Sequence, residues 1–144
     1  ELMPLAQFSG EFGWGYDGVD LFAVHQAYGG PDALVAFVDA AHRRGLSVCL
    51  DVVLNHLGAW GNYLSRFAPY YTQRHHTPWG PGFDLDGPHS HEQRRFLLDV
   101  CRNWLVDMHV DALRLDAVHA IHDDSQTHLL AELAEEVSAG VTSP

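Results

Sequence analysis

The sequence predicts an α/β protein with a parallel sheet, whose features fit part of a (β/α)8 barrel, also called a TIM barrel. Strand-like and helix-like segments alternate along the chain, which implies right-handed crossovers between parallel strands. Residues 46–54 are a continuous apolar run, typical of a strand buried on both faces, and residues 110–118 form a second strand-like run. A barrel needs about 250 residues, so a chain of 144 residues predicts less than half of one.

The N-terminal third predicts the end of a strand, a loop and a helix. Residues 1–5 are typical of a strand end stopped by Pro4, and residues 10–31, rich in glycine and aromatic residues, predict an ordered loop. Pro31 suits a first helical turn, and Gly45 suits the left-handed position after a helix. Apolar residues at helical spacing between them predict a buried face: Leu34, Phe37, Val38 and Ala41.

A long irregular insertion is predicted between the two strand-like runs. Residues 55–90 contain five glycines, four prolines and many aromatic residues, with little periodicity. A loop of this length inside a domain is usually functional. Ser90 and Gln93 have the spacing of a capping box, which predicts the start of a helix that runs to about Met108.

The last predicted element is a helix after the second strand. Asp124 or Ser125 is expected to cap it, and an apolar stripe follows, consisting of Leu129, Leu130, Leu133 and Val137. The acidic residues beside that stripe are expected to form a solvated helical face: Glu132, Glu135 and Glu136.

Charge and composition exclude several classes of partner. Eight arginines, no lysine and nineteen acidic residues give a formal charge of −11, which disfavours nucleic acid and anionic membranes. No run approaches about 18 consecutive apolar residues, so no membrane span is expected. No signal-peptide pattern opens the sequence, but it begins with Glu1 rather than Met, so a preceding signal stays open; a cytoplasmic location is the expectation. Cys49 and Cys101 are expected to be reduced, buried thiols. A doubly wound nucleotide-binding sheet is disfavoured because no Gly-rich phosphate motif follows either strand, and no cofactor is expected.

Polar residues at the carboxyl ends of the two strands are the candidate functional groups, because function sits at those ends in parallel α/β folds. The first strand places Asn55 and His56 at its end, with Asp51 deeper. His56 alone is more often a structural histidine than a functional one.

Arg114 and Asp116 lie two positions apart on the second strand and therefore share a face. A neighbouring guanidinium favours the ionised carboxylate, which suits the nucleophile of a retaining glycosidase. Such an enzyme also needs a protonated carboxyl group about 5–5.5 Å away. A structural ion pair between strand and loop accounts for the spacing equally well.

Metal binding is not expected from the sequence. His75 and His76 lack the paired cysteines or the helical His pair of zinc sites. Asp84 and Asp86 are weak evidence for calcium, which takes more oxygen ligands than two loop carboxylates supply.

Aromatic residues are concentrated in the segments expected at the strand ends. A cleft lined by flat rings and short polar groups suits sugars, although core packing accounts for some of these rings. The eight residues are Trp14, Tyr16, Tyr28, Trp60, Tyr63, Tyr70, Tyr71 and Trp79.

Two motifs resemble the α-amylase superfamily of glycoside hydrolases. "DVVLNH" (51–56) and "LRLDAVH" (113–119) are similar to its first and second signature regions. The resemblance implies a (β/α)8 barrel of which this chain covers about strands two to four, with residues 55–90 as the insertion between the third strand and the third helix. It also implies hydrolysis of an α-1,4-glucosidic bond.

A longer series of segments narrows the resemblance to members that release trehalose from maltooligosyltrehalose. These segments are "GWGYDGV" (13–19), "AYGGPDALVAFVDAAHRRGL" (27–46), "GNYL" (61–64), "HHTPWG" (75–80) and "FDLDGP" (83–88). The implied partner is maltooligosyltrehalose or a related α-glucan. The implied roles are Asp116 as nucleophile, Arg114, His119, His56 and Tyr16 as substrate-binding residues, and Asp51 and Asn55 as structural residues at the site.

The resemblance places two further catalytic residues outside this chain. The acid–base Glu of the superfamily follows the fifth strand and a stabilising Asp follows the seventh, so we expect the chain to be a fragment that is inactive alone. Its open strand edges also predict that the rest of the barrel is needed for stable folding. Two alternatives stay open: a glucan branching enzyme, which shares the "WGY" and "LRLDAV"-like segments, and a non-catalytic carbohydrate-binding relative.

Overall fold

A computed structural model describes residues 1–140 as a mixed α/β structure with three helices and three two-stranded sheets. The helices are α1 (Gly30–His42), α2 (Ser90–Arg102) and α3 (Leu129–Gly140). The strands are β1 (Ala6–Phe8), β2 (Gly18–Val24), β3 (Cys49–Val53), β4 (Tyr71–Thr77), β5 (Gly80–Phe83) and β6 (Ala112–Asp116).

A parallel pair formed by β3 and β6 is the centre of the structure, as the two apolar runs predicted. Its register sets Asp51 beside Arg114 and Val53 beside Asp116, so both strands end at the same level. On the other side of β3, Leu2 forms a parallel bridge with Leu50, which confirms that the N-terminal residues are extended. The second strand is shorter than predicted and ends at Asp116.

Helices α1 and α2 supply much of the core around this pair. Leu34 and Val38 of α1 are buried, and Leu97 and Val100 of α2 belong to the same hydrophobic cluster as the apolar side chains of β3. The prediction that Phe37 is buried is wrong: it is 50% exposed. Phe37 lies about 100° around the helix from its buried neighbour Val38, which turns its ring toward solvent.

Helix α2 continues into a π-helix, Asn103–Asp107, as far as the predicted end near Met108. The wider turn carries the fully buried Trp104 into the core. After α1, Gly45 adopts a φ of 70°, the left-handed conformation that its position predicted.

The prediction of a loop over residues 10–31 is wrong in its second half. Gly18–Val24 forms β2, which pairs antiparallel with β1 and has two register shifts. Leu21 and Val24 are buried three residues apart, so β2 lacks the alternation by which a strand is usually identified.

The insertion over residues 55–90 is also more regular than predicted, because β4 and β5 form a hairpin within it. Thr77 stabilises the turn: its hydroxyl donates to the Gly80 carbonyl at 2.9 Å and accepts from the Trp79 amide at 3.2 Å. Buried Phe83 and Leu85 join the insertion to the core cluster.

Both predicted helix caps are wrong. His89 precedes α2 without a side-chain cap, and the buried Gln93 amide donates to the Pro69 carbonyl at 2.9 Å instead of closing a capping box. Before α3, Asp123 rather than Asp124 or Ser125 accepts the Leu129 amide, at 2.6 Å.

Arg94 ties α2 to the segment before α3. Its guanidinium donates to Asp123 at 2.7 Å and to Glu132 at 2.6 Å, and also to the carbonyls of Leu85 and Thr127. Burial opposes ionisation of Asp123, but hydrogen bonds from Ser125, Arg94 and Leu129 outweigh it, so the pKa of that carboxyl is lowered. Glu132, predicted on a solvated face, keeps a side chain that is 37% exposed and also pairs with Arg94.

The Glu136 side chain is 37% exposed and pairs with Arg95 at 2.8 Å on the surface of the helix. Glu135 is the most exposed residue of the three.

The cysteines are unpaired in residues 1–140, as expected, although Cys49 is only half-buried. Burial raises the pKa of the Cys101 thiol to about 12, so it stays protonated and inert. None of the helices in these residues has the length and apolar character to cross a membrane.

Arg94→Met in the full-length protein is expected to lower the free energy of unfolding by about 3–5 kcal/mol, because it leaves the fully buried Asp123 carboxylate without its cation. Urea denaturation measures this loss. Arg95→Met is the matched control, since its pairs are more than a third exposed and exposed pairs contribute about 1 kcal/mol or less. Equal losses in the two variants would show that the buried Arg94–Asp123 pair contributes no more stability than the exposed pairs of Arg95.

Candidate active site

Four side chains form a continuous hydrogen-bonded chain at the carboxyl ends of β3 and β6. The Tyr16 hydroxyl donates to Asp51 Oδ2 at 2.8 Å, and the same oxygen accepts from Arg114 Nη1. Arg114 Nη1 also donates to Asp116 Oδ1 at 2.8 Å. One guanidinium nitrogen therefore bridges a carboxylate on each strand, as the register of β3 and β6 requires.

The two carboxylates differ sharply in exposure. The Asp51 side chain is 3% exposed, whereas that of Asp116 is 21% exposed and Arg114 46%. Asp51, and then Asp116, raises the pKa of the Arg114 guanidinium, which stays charged. Asp51 is thus placed to anchor the cation, and Asp116 is placed to meet a ligand.

Tyr16 is held as a hydrogen-bond donor. Its hydrogen bond to Asp51 is the largest cause of a raised pKa, and burial adds to it, so the phenol stays protonated at neutral pH. Its neighbour Gly15 has a φ of 88°, and a Cβ there would lie 2.1 Å from the Pro4 carbonyl oxygen. Only glycine fits, and this close approach sets the position of Tyr16.

A second close approach joins the segment after β3 to the segment before β2. The Gly58 amide donates to the Gly18 carbonyl at 2.9 Å, and a Cβ on Gly58 would lie 2.2 Å from the Asp17 carbonyl oxygen. The carboxyl ends of β3 and β6, with the side chains that meet there, are called the mouth. The two loops that border the mouth are packed backbone to backbone.

Asn55 and His56 extend the site beyond β3. Asn55 is 2% exposed, and its amide nitrogen donates to the carbonyls of Asp116 at 3.2 Å and Ala117 at 3.0 Å. Its side-chain oxygen accepts from His56 Nδ1. Asn55 thus connects the two strand ends through the backbone behind Asp116.

Burial is the largest cause of a lowered pKa at His56, which outweighs the opposing effects of the Tyr16 carbonyl and the Asp17 and Asp116 carboxylates. The imidazole is therefore neutral near pH 7. Its ring stacks on Trp79, with centroids 5.4 Å apart, and Trp79 meets His119 edge-on at 6.3 Å. His119 is exposed in the short 3-10 turn Val118–Ala120 after β6.

The structure brings every predicted site residue to one mouth: Tyr16, Asp51, Asn55, His56, Arg114, Asp116 and His119. The role of Trp79 as the ring that joins His56 to His119 was missed, because that contact depends on the β4–β5 hairpin. Among the other aromatic residues, Tyr70 and Tyr71 pack against the core, whereas Trp14, Trp60 and Tyr63 are exposed.

This arrangement suits attack by a carboxylate on an electrophilic carbon. Asp116 accepts a hydrogen bond from the Arg114 guanidinium and is partly open to solvent, as a nucleophile must be. A retaining glycosidase uses such a carboxylate together with a second, protonated one.

One cluster outside the mouth could hold a divalent cation. His75, Asp86 and Asp124 each offer a ligand atom, and these atoms lie within 4.8 Å of one another. Arg74 already pairs with Asp86, and the Asp124 backbone amide donates to the same carboxylate at 3.0 Å. Both oxygens of the Asp86 carboxylate therefore have partners within the protein.

Comparison with known proteins gives a family match and close relatives. A model of the α-amylase family, described as "Alpha amylase, catalytic domain", matches residues 4–79. The malto-oligosyltrehalose trehalohydrolase of Arthrobacter ramosus is 55% identical over 95% of this chain, and that of Saccharolobus solfataricus is 49% identical over 95%. The chain spans about a quarter, 24%, of the length of each of these relatives.

A solved structure from Salmonella typhimurium, whose description names an alpha amylase, superposes with a TM-score of 0.93 at 48% identity. It covers 97% of this chain, which corresponds to 24% of that protein. A 1,4-alpha-glucan branching enzyme of Pseudoalteromonas atlantica is 36% identical over 82% of this chain and 17% of its own.

The lowered pKa of His56 predicts a pH dependence of stability. An unfolded histidine has a pKa of about 6.5, so below that pH the unfolded chain binds a proton that the folded site resists, and stability falls. Urea denaturation of the full-length protein between about pH 7 and 5 measures the free energy of unfolding. As the pH is lowered, this free energy is expected to fall less for His56→Gln than for the unmodified protein.

The exposed His91 serves as the control, since His91→Gln should leave the slope of the unfolding free energy against pH unchanged. If the His56→Gln slope matches that of the unmodified protein, His56 is not held neutral by burial.

Proposed function

The chain belongs to the α-amylase family, and we propose that it is the part of a trehalose-releasing glycoside hydrolase that carries the catalytic nucleophile. The observation that carries the proposal is the Arg114–Asp116 pair at the end of β6, anchored by buried Asp51 and open to ligand. Because the chain spans about a quarter of its relatives, the activity belongs to the full-length protein.

The proposed substrate is maltooligosyltrehalose or a related α-glucan, and the proposed bond is the α-1,4-glucosidic bond next to the terminal trehalose. Support comes from the names of the relatives at 46–55% identity over most of the chain. The exposed ring of Trp79 beside His56 and His119 offers the flat apolar face that a sugar ring stacks on. Nucleic acid and membranes are not proposed partners, and a cytoplasmic location stays a prediction.

In the proposed mechanism, an Asp116 carboxylate oxygen attacks the anomeric carbon and the bond from that carbon to the trehalose oxygen breaks. The departing oxygen takes a proton from a carboxylic acid, and trehalose leaves. Water, deprotonated by the same carboxyl group, then cleaves the glycosyl ester and restores the Asp116 carboxylate. Arg114 donates to Asp116 and orients it, Asp51 anchors Arg114, and Tyr16 donates to Asp51.

We propose that the acid–base carboxyl group, and a further stabilising carboxylate, come from parts of the full-length protein outside this chain. The proposed architecture is a (β/α)8 barrel to which this chain contributes about strands two to four. Within residues 1–140, β6 pairs only with β3, so its other edge is free for a following strand. Activity and stable folding are therefore proposed to need the rest of the protein.

A glucan branching enzyme is the second candidate, because the match at 36% identity extends over most of the chain. It shares the proposed nucleophile and differs in the acceptor, which is a glucan hydroxyl rather than water. Free trehalose from maltooligosyltrehalose supports the first candidate, and new α-1,6 branches in amylose support the second.

Asp116→Asn in the full-length protein is expected to abolish turnover of maltooligosyltrehalose while the oligosaccharide still binds, because the amide keeps the size of the carboxylate but not its nucleophilicity. Released trehalose is measured by chromatography, and binding by calorimetry.

The matched control is Asp107→Asn, the same chemical change at an exposed position on the π-helix. It should retain the activity of the unmodified protein. Turnover by Asp116→Asn would refute the nucleophile assignment and favour a non-catalytic role for the Arg114–Asp116 pair.

A further inference from the structure

The residue after the proposed nucleophile has a strained backbone. Ala117 has a φ of 44° and a ψ of 45°, the left-handed conformation that L-residues other than glycine seldom adopt. It separates Asp116 at the end of β6 from the 3-10 turn that carries His119. The directions of the Asp116 and His119 side chains therefore depend on a backbone conformation that alanine does not favour by itself.

The Asn55 side chain contacts the backbone of this turn, in which the Ala120 amide also donates to the Ala117 carbonyl at 2.8 Å. The Asn55 amide nitrogen donates to the carbonyl oxygens on both sides of the strained residue, that of Asp116 at 3.2 Å and that of Ala117 at 3.0 Å. The parallel register, which sets Val53 beside Asp116, brings the end of β3 level with the turn. Asn55 is 2% exposed, so water does not compete for these bonds.

The orientation of the Asn55 amide is determined by its partners on both sides. The nitrogen supplies two N–H donors to the two carbonyls, and the oxygen accepts from His56 Nδ1. The flipped amide would set its oxygen against two carbonyl oxygens, which is repulsive. One side chain therefore ties His56 to the backbone that positions Asp116 and His119.

We propose that Asn55 is a positioning residue for the reaction: it holds the left-handed turn at Ala117 and so keeps Asp116 and His119 in register with His56. The inference rests on the proposed function, since it takes Asp116 as the nucleophile. Asn55 acts through the backbone of Asp116 and Ala117 and does not contact the substrate.

A double-mutant cycle on the full-length protein tests this coupling. Asn55→Asp has the same shape and still accepts from His56, but it has no N–H for the two carbonyls. Ala117→Gly removes the strain, because glycine adopts this conformation freely. The kcat and KM for trehalose release and the melting temperature are measured for the unmodified protein, both single variants and the double variant.

We expect Asn55→Asp to lower kcat by about 100-fold with a much smaller change in KM, because the nucleophile is misplaced while the substrate still binds. In the Ala117→Gly background, Asn55→Asp should lower kcat by about 10-fold or less. The cycle removes any effect of the added charge that is common to both backgrounds. Asn103→Asp is the matched control, since this amide, on the π-helix, also donates to a carbonyl, that of Phe22 on β2. It should keep its kcat.

Two results would overturn the inference: an unchanged kcat in Asn55→Asp, or an equal loss of kcat in both backgrounds. If Asn55→Asp fails to fold while the double variant folds, the coupling is shown directly; if neither folds, Asn55 serves folding independently of the turn and the inference fails. Failure of the proposed function is a separate result, because the unmodified protein would then release no trehalose. The cycle can still be measured on any other α-glucan that the protein cleaves, and in the melting temperatures.

Discussion

The placement of one cation between two carboxylates on neighbouring strands is the constraint on which the rest of the site depends. Arg114 Nη1 contacts Asp51 on β3 and Asp116 on β6, and the parallel register makes both contacts possible. A buried carboxylate without a counter-charge is costly, so Asp51 binds Arg114 firmly. Arg114 in turn donates a hydrogen bond to the more exposed Asp116 at the mouth. A shift of one residue in the β3–β6 register would turn Arg114 and Asp116 to the other face.

Three surrounding segments complete the site around Arg114 and its two carboxylates. Tyr16 reaches Asp51 because Gly15 allows the chain to pass close to Pro4, and the Gly58 segment packs on the backbone of Asp17. The β4–β5 hairpin brings Trp79 against His56 and His119. The mouth is therefore assembled from two loops packed backbone to backbone and a hairpin that contributes an aromatic ring.

The β3–β6 pair that carries the candidate site could be predicted because its sequence signals are local. The two apolar runs identified β3 and β6, and a spacing of two placed Arg114 and Asp116 on one face. The parts that it missed depend on distant residues. No pattern in β4 predicts its pairing with β5, the partners of Arg94 lie up to 38 residues away, and an alanine carries no signal for the left-handed conformation of Ala117.

The proposed mechanism requires Asp116 to form a covalent bond to the sugar. A fluorinated α-glucosyl fluoride that forms the glycosyl-enzyme faster than it is hydrolysed allows this intermediate to be trapped on the full-length protein, which is then digested and analysed by mass spectrometry. We expect one added glycosyl unit on the peptide that contains Asp116, with the ester at that carboxylate. A label on a different carboxylate, or turnover of the reagent without any labelled peptide, would contradict it.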